Sequence, residues 1–305
     1  MPKFLFRQYP PTIQLLIFMV IWLFCQLLTA GTIFPFLLNL LSGSRVSMTD
    51  FQQQPASFPA ITLWINFLGS ILLYLAPAVL FSAIISPDFT GYLGFKKITT
   101  IKVLPWIILL GVAMIFVLPY ISEWLQETGF GNLADELQKQ RQELEAVYFR
   151  ERTGWSLLRN ALLMALVPAL CEEVFFRGAL QRLLYAVSRH KWIAIIITSI
   201  LFGLVHNSIY NFLPILIASI ILGYVYFETG SLWISILLHF TYNLAQVVVV
   251  HISAPEKETI TDSLPGRLVL EIVAVAAIML SLSMIYRYRN PEQLRHTRED
   301  AVKSN

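Results

Sequence analysis

The sequence predicts an all-α protein built as a polytopic membrane helix bundle with about eight transmembrane helices. Three observations predict it. Apolar residues make up 56% of the 305-residue chain and charged residues only 13%, where a typical globular domain carries about 25% charged residues. The mean hydropathy is +0.65. The apolar residues also gather in runs close to the ~20 residues that a helix needs to cross hydrocarbon. A water-facing surface cannot be built from this inventory. The same composition excludes a disordered chain, a collagen-like chain and a disulfide scaffold. Cys25 and Cys171 both sit inside apolar runs and read as free thiols. A net charge of +3, with no stretch that interleaves basic and aromatic residues, argues against a nucleic-acid partner.

The apolar runs fall at 13–41, 61–85, 101–125, 155–187, 192–206, 212–227, 231–250 and 267–286. The first follows Lys3 and Arg7 and continues through Phe34–Leu38. That exceeds the roughly 7–15 residues of a signal-peptide core, so it reads as a retained span. Ser42-Gly43-Ser44 closes the first run, Pro87-Asp88 the second, and Thr229-Gly230 splits the sixth from the seventh. The fifth and sixth runs are short, and their apolar character and tight connections keep them as spans. Segment 126–154 mixes Lys139, Arg141, Arg150 and Arg152 with Glu127, Asp135, Glu136, Glu143, Glu145 and Glu151, and reads as an amphipathic surface helix. The chain divides into three parts. Residues 1–154 hold three spans and the amphipathic segment, 155–250 a core, and 251–305 the last span and a basic tail.

Lysine and arginine positions set orientation. With eight spans, Lys3 and Arg7, then Lys96, Lys97 and Lys102, then Arg177, Arg182, Arg189 and Lys191, then Arg287, Arg289, Arg295, Arg298 and Lys303 fall on one side. Arg45 and Lys257 fall on the other. This predicts a multi-pass protein of the cell membrane with both termini cytoplasmic.

An ionisable residue inside a span is by default a functional hypothesis. Nearly all of them lie in the fourth, fifth and seventh runs, at Glu172, Glu173, Arg177, His206 and His239. Glu173 and Arg177 stand at i, i+4 with the acid first, the favoured order for a helical ion pair. Glu172 has no partner on its own helix. It must find one on another helix, bind a metal or take a proton. Phe202 shares a helix face with His206, and His239 with Asn243. One glutamate with two histidines is a known zinc set with an open position for water, here Glu172, His206 and His239. The same groups also work without metal, with a glutamate of raised pKa deprotonating water and a histidine and an asparagine steadying the oxyanion. Neither His-Glu-x-x-His nor a Gly-x-Ser-x-Gly elbow occurs.

Glu172-Glu173-x-x-x-Arg177, Phe202-x-x-x-His206 and His239-x-x-x-Asn243, in that order on successive apolar helices, resemble the CPBP family. This is the family of CAAX prenyl proteases and bacteriocin-processing enzymes, also called Abi. The stretch Leu222–Trp233 is similar to the family's link before its second histidine. The resemblance covers residues 155–250 and implies an eight-helix intramembrane endopeptidase, a hydrolase with a membrane-protein or peptide substrate in a lipid environment. It implies that Glu172 and His206 activate the attacking water and that His239 and Asn243 stabilise the oxyanion. The family is described both as metalloproteases, which would bring Zn2+ as cofactor, and as metal-free glutamate proteases. Whether the substrate is prenylated does not follow from the resemblance. Two other classes place Glu and His in adjacent spans: a proton-coupled transporter and a catalytically silent scaffold or immunity protein. The first predicts broken helices or repeats, and the second tolerates loss of Glu172.

Overall fold

The computed structural model describes residues 5–43, 46–98, 101–253 and 264–289, and these are helical with no strand among them. The principal helices are α1 (Pro11–Ser42), α2 (Pro59–Ile85), α3 (Ile101–Thr128), α4 (Asn132–Phe149), α5 (154–188), α6 (Lys191–Val205), α7 (Ile209–Thr229), α8 (Leu232–Ile252) and α9 (Leu264–Arg287). Six of them, α1, α2, α3, α7, α8 and α9, are long and apolar enough to cross a membrane. The count of eight included two helices that do not meet that criterion. Helix α5 carries Arg159, Glu172, Glu173, Arg177 and Arg182, and α6 is only 15 residues long. The sixth run, expected to be short, is instead a 21-residue helix from Ile209 to Thr229. Segment 126–154 holds the surface helix α4, which buries Ala134, Val147 and Tyr148. Lys3, Arg45, Lys257, Arg295, Arg298 and Lys303 lie outside the described residues.

Several helices contain π turns. Those at Thr29–Ile33, Ile71–Leu75 and Ala161–Leu166 each end two residues before a proline, at Pro35, Pro77 and Pro168. Proline lacks an N–H and its ring clashes with the carbonyl four residues back; a wider turn relieves both. The fourth π turn, Val174–Gln181, has no proline and starts directly after Glu173. Such turns are frequent at functional sites.

Helix α5 packs against α1, α2, α6 and α8, so it stands at the centre of the molecule. One core cluster joins Phe18, Phe81, Phe175, Phe176, Phe202 and Leu232 around it. A second joins Ile107, Leu110, Met114, Leu222 and Leu238 of α3, α7 and α8. The loop after α2 closes over the end of α5. Asp88 caps the short helix Phe89–Tyr92, and the Gly91 N–H, with Thr90, holds its carboxyl below its usual pKa. Arg182 donates to the Tyr92 carbonyl and lies over its ring. A Cβ on Gly178 would lie 2.8 Å from the Leu93 carbonyl, so glycine is what lets α5 press this close.

The cations collect at one end of the bundle. Lys191 and Arg289 both approach Glu228, Ser231 donates to the Lys96 carbonyl, and Arg189 and Arg287 flank this group in sequence. At the other end α4 docks on the start of α7, with Tyr210 donating to Asp135 and Asn211 to Gln138.

Candidate active site

Helix α5 supplies two adjacent carboxylates with opposite environments. The Glu173 side chain is 0% exposed, whereas Glu172 keeps 13% exposure. Glu173 is held on all sides. Arg177 Nη1 donates to its Oε1 at 2.6 Å, Ser235 Oγ to its Oε2 at 2.5 Å, and His239 Nδ1 meets Oε1 at 2.9 Å. Arg177 is also fully buried, and its Nη2 donates to the Ser219 hydroxyl and carbonyl on α7 at 2.8 and 3.0 Å. The i, i+4 ion pair expected from the sequence is present, and its reach is wider than one helix. It ties α5 to α7 and α8.

This arrangement fixes the tautomer of His239. A carboxylate paired with Arg177 accepts hydrogen bonds only, so Nδ1 of His239 carries the proton and Nε2 points elsewhere. It points at Glu172, with Nε2 3.9 Å from Oε2. His206 sits at the end of α6 as its C-terminal cap. Asn207 follows with φ of 47°, the left-handed region that asparagine tolerates, and Ser208 caps α7 through the Asn211 N–H. That tight reversal puts His206 at a helix tip. Its Nδ1 donates to the Phe202 carbonyl at 2.7 Å, which leaves its Nε2 free. The Phe202 ring lies 4.6 Å from the His206 ring and 6.0 Å from that of His239, and the Arg177 guanidinium sits 4.9 Å above it. Phe202 is thus the apolar divider on which both imidazoles rest. Asn243, one turn beyond His239, donates to the Met164 carbonyl at 3.4 Å. Met164 needs that donor because the residue four ahead, Pro168, has no N–H.

All six residues singled out in the sequence therefore lie around one locus, but on different footings. Glu172, His206 and Asn243 are part-exposed, His239 is nearly buried, and Glu173 and Arg177 are sealed off. Glu173 and Arg177, placed with the catalytic group from sequence, are 0% exposed and spend their hydrogen bonds on protein groups. The histidine that faces Glu172 at close range is His239. Among the described residues no three His, Cys, Asp or Glu side chains gather closely enough to hold a metal ion. Sequence reasoning missed Ser235 and Ser219. Ser235 lies four residues before His239 on the same face, a signal that was available. Ser219 had none, because its role depends on how α7 packs.

One family model matches part of the chain, residues 154–245, 92 of its 305 residues. They match the family model for type II CAAX prenyl endopeptidases, described as Rce1-like. The Rce1-like likeness is confined to this stretch. The match agrees with the CPBP resemblance of the three motifs, and Glu172, Glu173, Arg177, His206, His239 and Asn243 all fall within it. No curated protein and no solved structure matches the chain. The matched stretch begins with α5 and ends within α8, so the helices that carry the motifs are its own. The chain is accordingly a multi-pass membrane protein with a segment similar to a protease family.

Proposed function

We propose that the protein is an intramembrane endopeptidase that cleaves a membrane-associated protein or peptide, with Glu172 as general base. The observation that carries this reading is the contrast between the two carboxylates. Glu172 keeps part of its side chain exposed and faces His239 at 3.9 Å, while Glu173 is held by Arg177, Ser235 and His239. In the proposed reaction, water gives one hydrogen bond to Glu172 and one to the free Nε2 of His206. Glu172 takes a proton as the water oxygen attacks the scissile carbonyl carbon. Glu173 stabilises the imidazolium form of His239, as a buried carboxylate does in hydrolase triads, so that Nε2–H donates to the oxyanion. The second N–H of Asn243 adds to it. As the C–N bond breaks, the Glu172 proton passes to the leaving nitrogen, giving a carboxylic acid and an amine, which exchange a proton to become a carboxylate and an ammonium.

A hydrated pocket within the bilayer fits the same residues. Fifteen residues of α6 rise about 22 Å, less than the ~30 Å of hydrocarbon. The turn His206–Ser208 is polar, irregular backbone, which is tolerated at membrane depth only inside protein or beside a water-filled cavity. The transporter reading has less support, since it gives no account of the match of residues 154–245 to a CAAX prenyl endopeptidase model.

The direct test compares fragments of membrane peptides from cells carrying the wild type or Glu172→Ala. Products present only with the wild type support a peptidase, and identical patterns at matched expression refute it. Zinc dependence is checked by exhaustive chelation of the purified protein. Retained activity with no bound metal by elemental analysis supports the glutamate mechanism; loss that zinc reverses supports a metal at Glu172, His206 and His239. The clustering of Lys96, Arg189, Lys191, Arg287 and Arg289 at one end supports a cytoplasmic location for that end. Cysteines placed along α6 and α8 of a cysteine-free protein should then react with a membrane-impermeant thiol reagent from the cytoplasmic face. Labelling only from the opposite face would overturn both the orientation and the cytoplasmic opening of the pocket.

A further inference from the structure

Glu173 and Arg177 are hydrogen-bonded at one point. A guanidinium and a carboxylate that meet end to end commonly close into a fork with two parallel N–H···O bonds. Here the bond runs from Nη1 to Oε1, and the two corners that would complete a fork are taken by serines. Nη2 of Arg177 donates to the Ser219 hydroxyl and carbonyl of α7 at 2.8 and 3.0 Å, so both of its N–H groups are engaged. Oε2 of Glu173 accepts from the Ser235 hydroxyl of α8 at 2.5 Å. All four residues are fully buried, so bulk water does not compete for these corners.

The Ser235 hydroxyl has turned away from its own helix. A helical serine or threonine often bonds to the carbonyl one turn back. Thr241 of α8 does so to Leu237, and Thr229 of α7 to Val225, both at 2.8 Å. Ser235 reaches across to α5 instead, and its other acceptor, the Leu222 carbonyl of α7, is 3.5 Å away. A hydroxyl has one proton to give, and the 2.5 Å contact places it on Glu173. The remaining oxygen, Oε1, is shared by Arg177 at 2.6 Å and His239 Nδ1 at 2.9 Å. Ser235 stands one turn before His239 on the same face of α8, so one helix brings both groups to the two oxygens of Glu173. A carboxylate that turned to close the fork would carry Oε1 off the line to Nδ1. We propose that Ser235, backed by Ser219, is a positioning residue. The two serines hold the Glu173–Arg177 pair open, so that Oε1 stays on His239 Nδ1 and the Nε2 of His239 stays aimed towards Glu172.

The kinetic part of the test rests on the peptidase reading, and the spectroscopic part does not. Wild type, Glu172→Gln, Ser235→Ala and Ser235→Thr are purified in detergent. The tautomer of His239 is read by NMR of protein labelled with 15N-histidine, its signals identified by their loss in His239→Gln. The wild type is expected to show the Nδ1–H form, and Ser235→Ala to gain a second tautomer. On one quenched fluorescent peptide with an apolar anchor that the wild type cleaves, kcat of Ser235→Ala is expected to fall about 10-fold, the low end of the roughly 10–100-fold associated with losing a partner that orients a functional histidine. KM and melting temperature should stay near those of the wild type, and Ser235→Thr, which keeps the hydroxyl, should restore kcat. A kcat of Ser235→Ala within twofold of wild type overturns the role, as does a loss that follows melting temperature and is not restored by threonine. If Ser235→Ala does not fold, Ser235→Cys takes its place with the same expectations, since a thiol is a weak donor. Full activity of Glu172→Gln removes the peptidase reading, and the spectrum then decides alone: an unchanged His239 tautomer in Ser235→Ala overturns the positioning role, and a second tautomer supports it. An inactive Glu172→Gln beside a fully active Ser235→Ala removes only the positioning role.

Discussion

Glu172→Gln is expected to lower peptide cleavage by about 10²–10⁴-fold, the range associated with loss of a general base, without loss of folded protein. The amide is nearly isosteric with the carboxylate and cannot take a proton from water. Stability should hold because Glu172 is partly exposed and its polar partner, His239, stands 3.9 Å away. The measurement is kcat/KM of the purified variant with its melting temperature in detergent. His239→Ala should fall in parallel, by about 10²–10³-fold for a lost oxyanion donor. It should also cost some stability, because Glu173 loses its 2.9 Å partner. Wild-type activity in Glu172→Gln would defeat the glutamate and the metal mechanisms together, since both run through this carboxylate.

Arg177→Met is expected to be the most destabilising single change in the site. Arg177 and Glu173 are both fully buried and joined at 2.6 Å. Removing one member of such a pair leaves an uncompensated charge and costs about 3–5 kcal/mol. Arg177 also gives up two bonds to Ser219, which join α5 to α7. The double change Glu173→Leu with Arg177→Met removes both charges, and pairs replaced by apolar groups of similar size are often neutral in stability. It should therefore regain much of the lost melting temperature. It should not regain activity, because His239 then has no carboxylate at Nδ1 to hold its tautomer. A double variant that is stable and active would show that the Glu173–Arg177 pair matters for folding alone.

The sequence by itself determined the all-helical membrane architecture, the positions of most apolar runs and the identity of the motif residues. These are local or compositional properties. An apolar run of membrane length has few alternatives, and a charged residue inside one stands out without any knowledge of its neighbours. The spacing of Glu173 and Arg177 specified their pairing because helix geometry places i and i+4 on one face. The length of α7 was legible only in part, because Tyr210 and Asn211, which belong to the helix, look like loop residues until Asp135 and Gln138 of α4 satisfy them. What the tertiary structure alone decided is the division of labour between the two adjacent glutamates. Sequence placed them about 100° apart on one helix and paired Glu173 with Arg177, but it did not show what else buries Glu173. The packing of α7 and α8 did, by closing Ser235 and His239 over Glu173 while leaving Glu172 partly exposed.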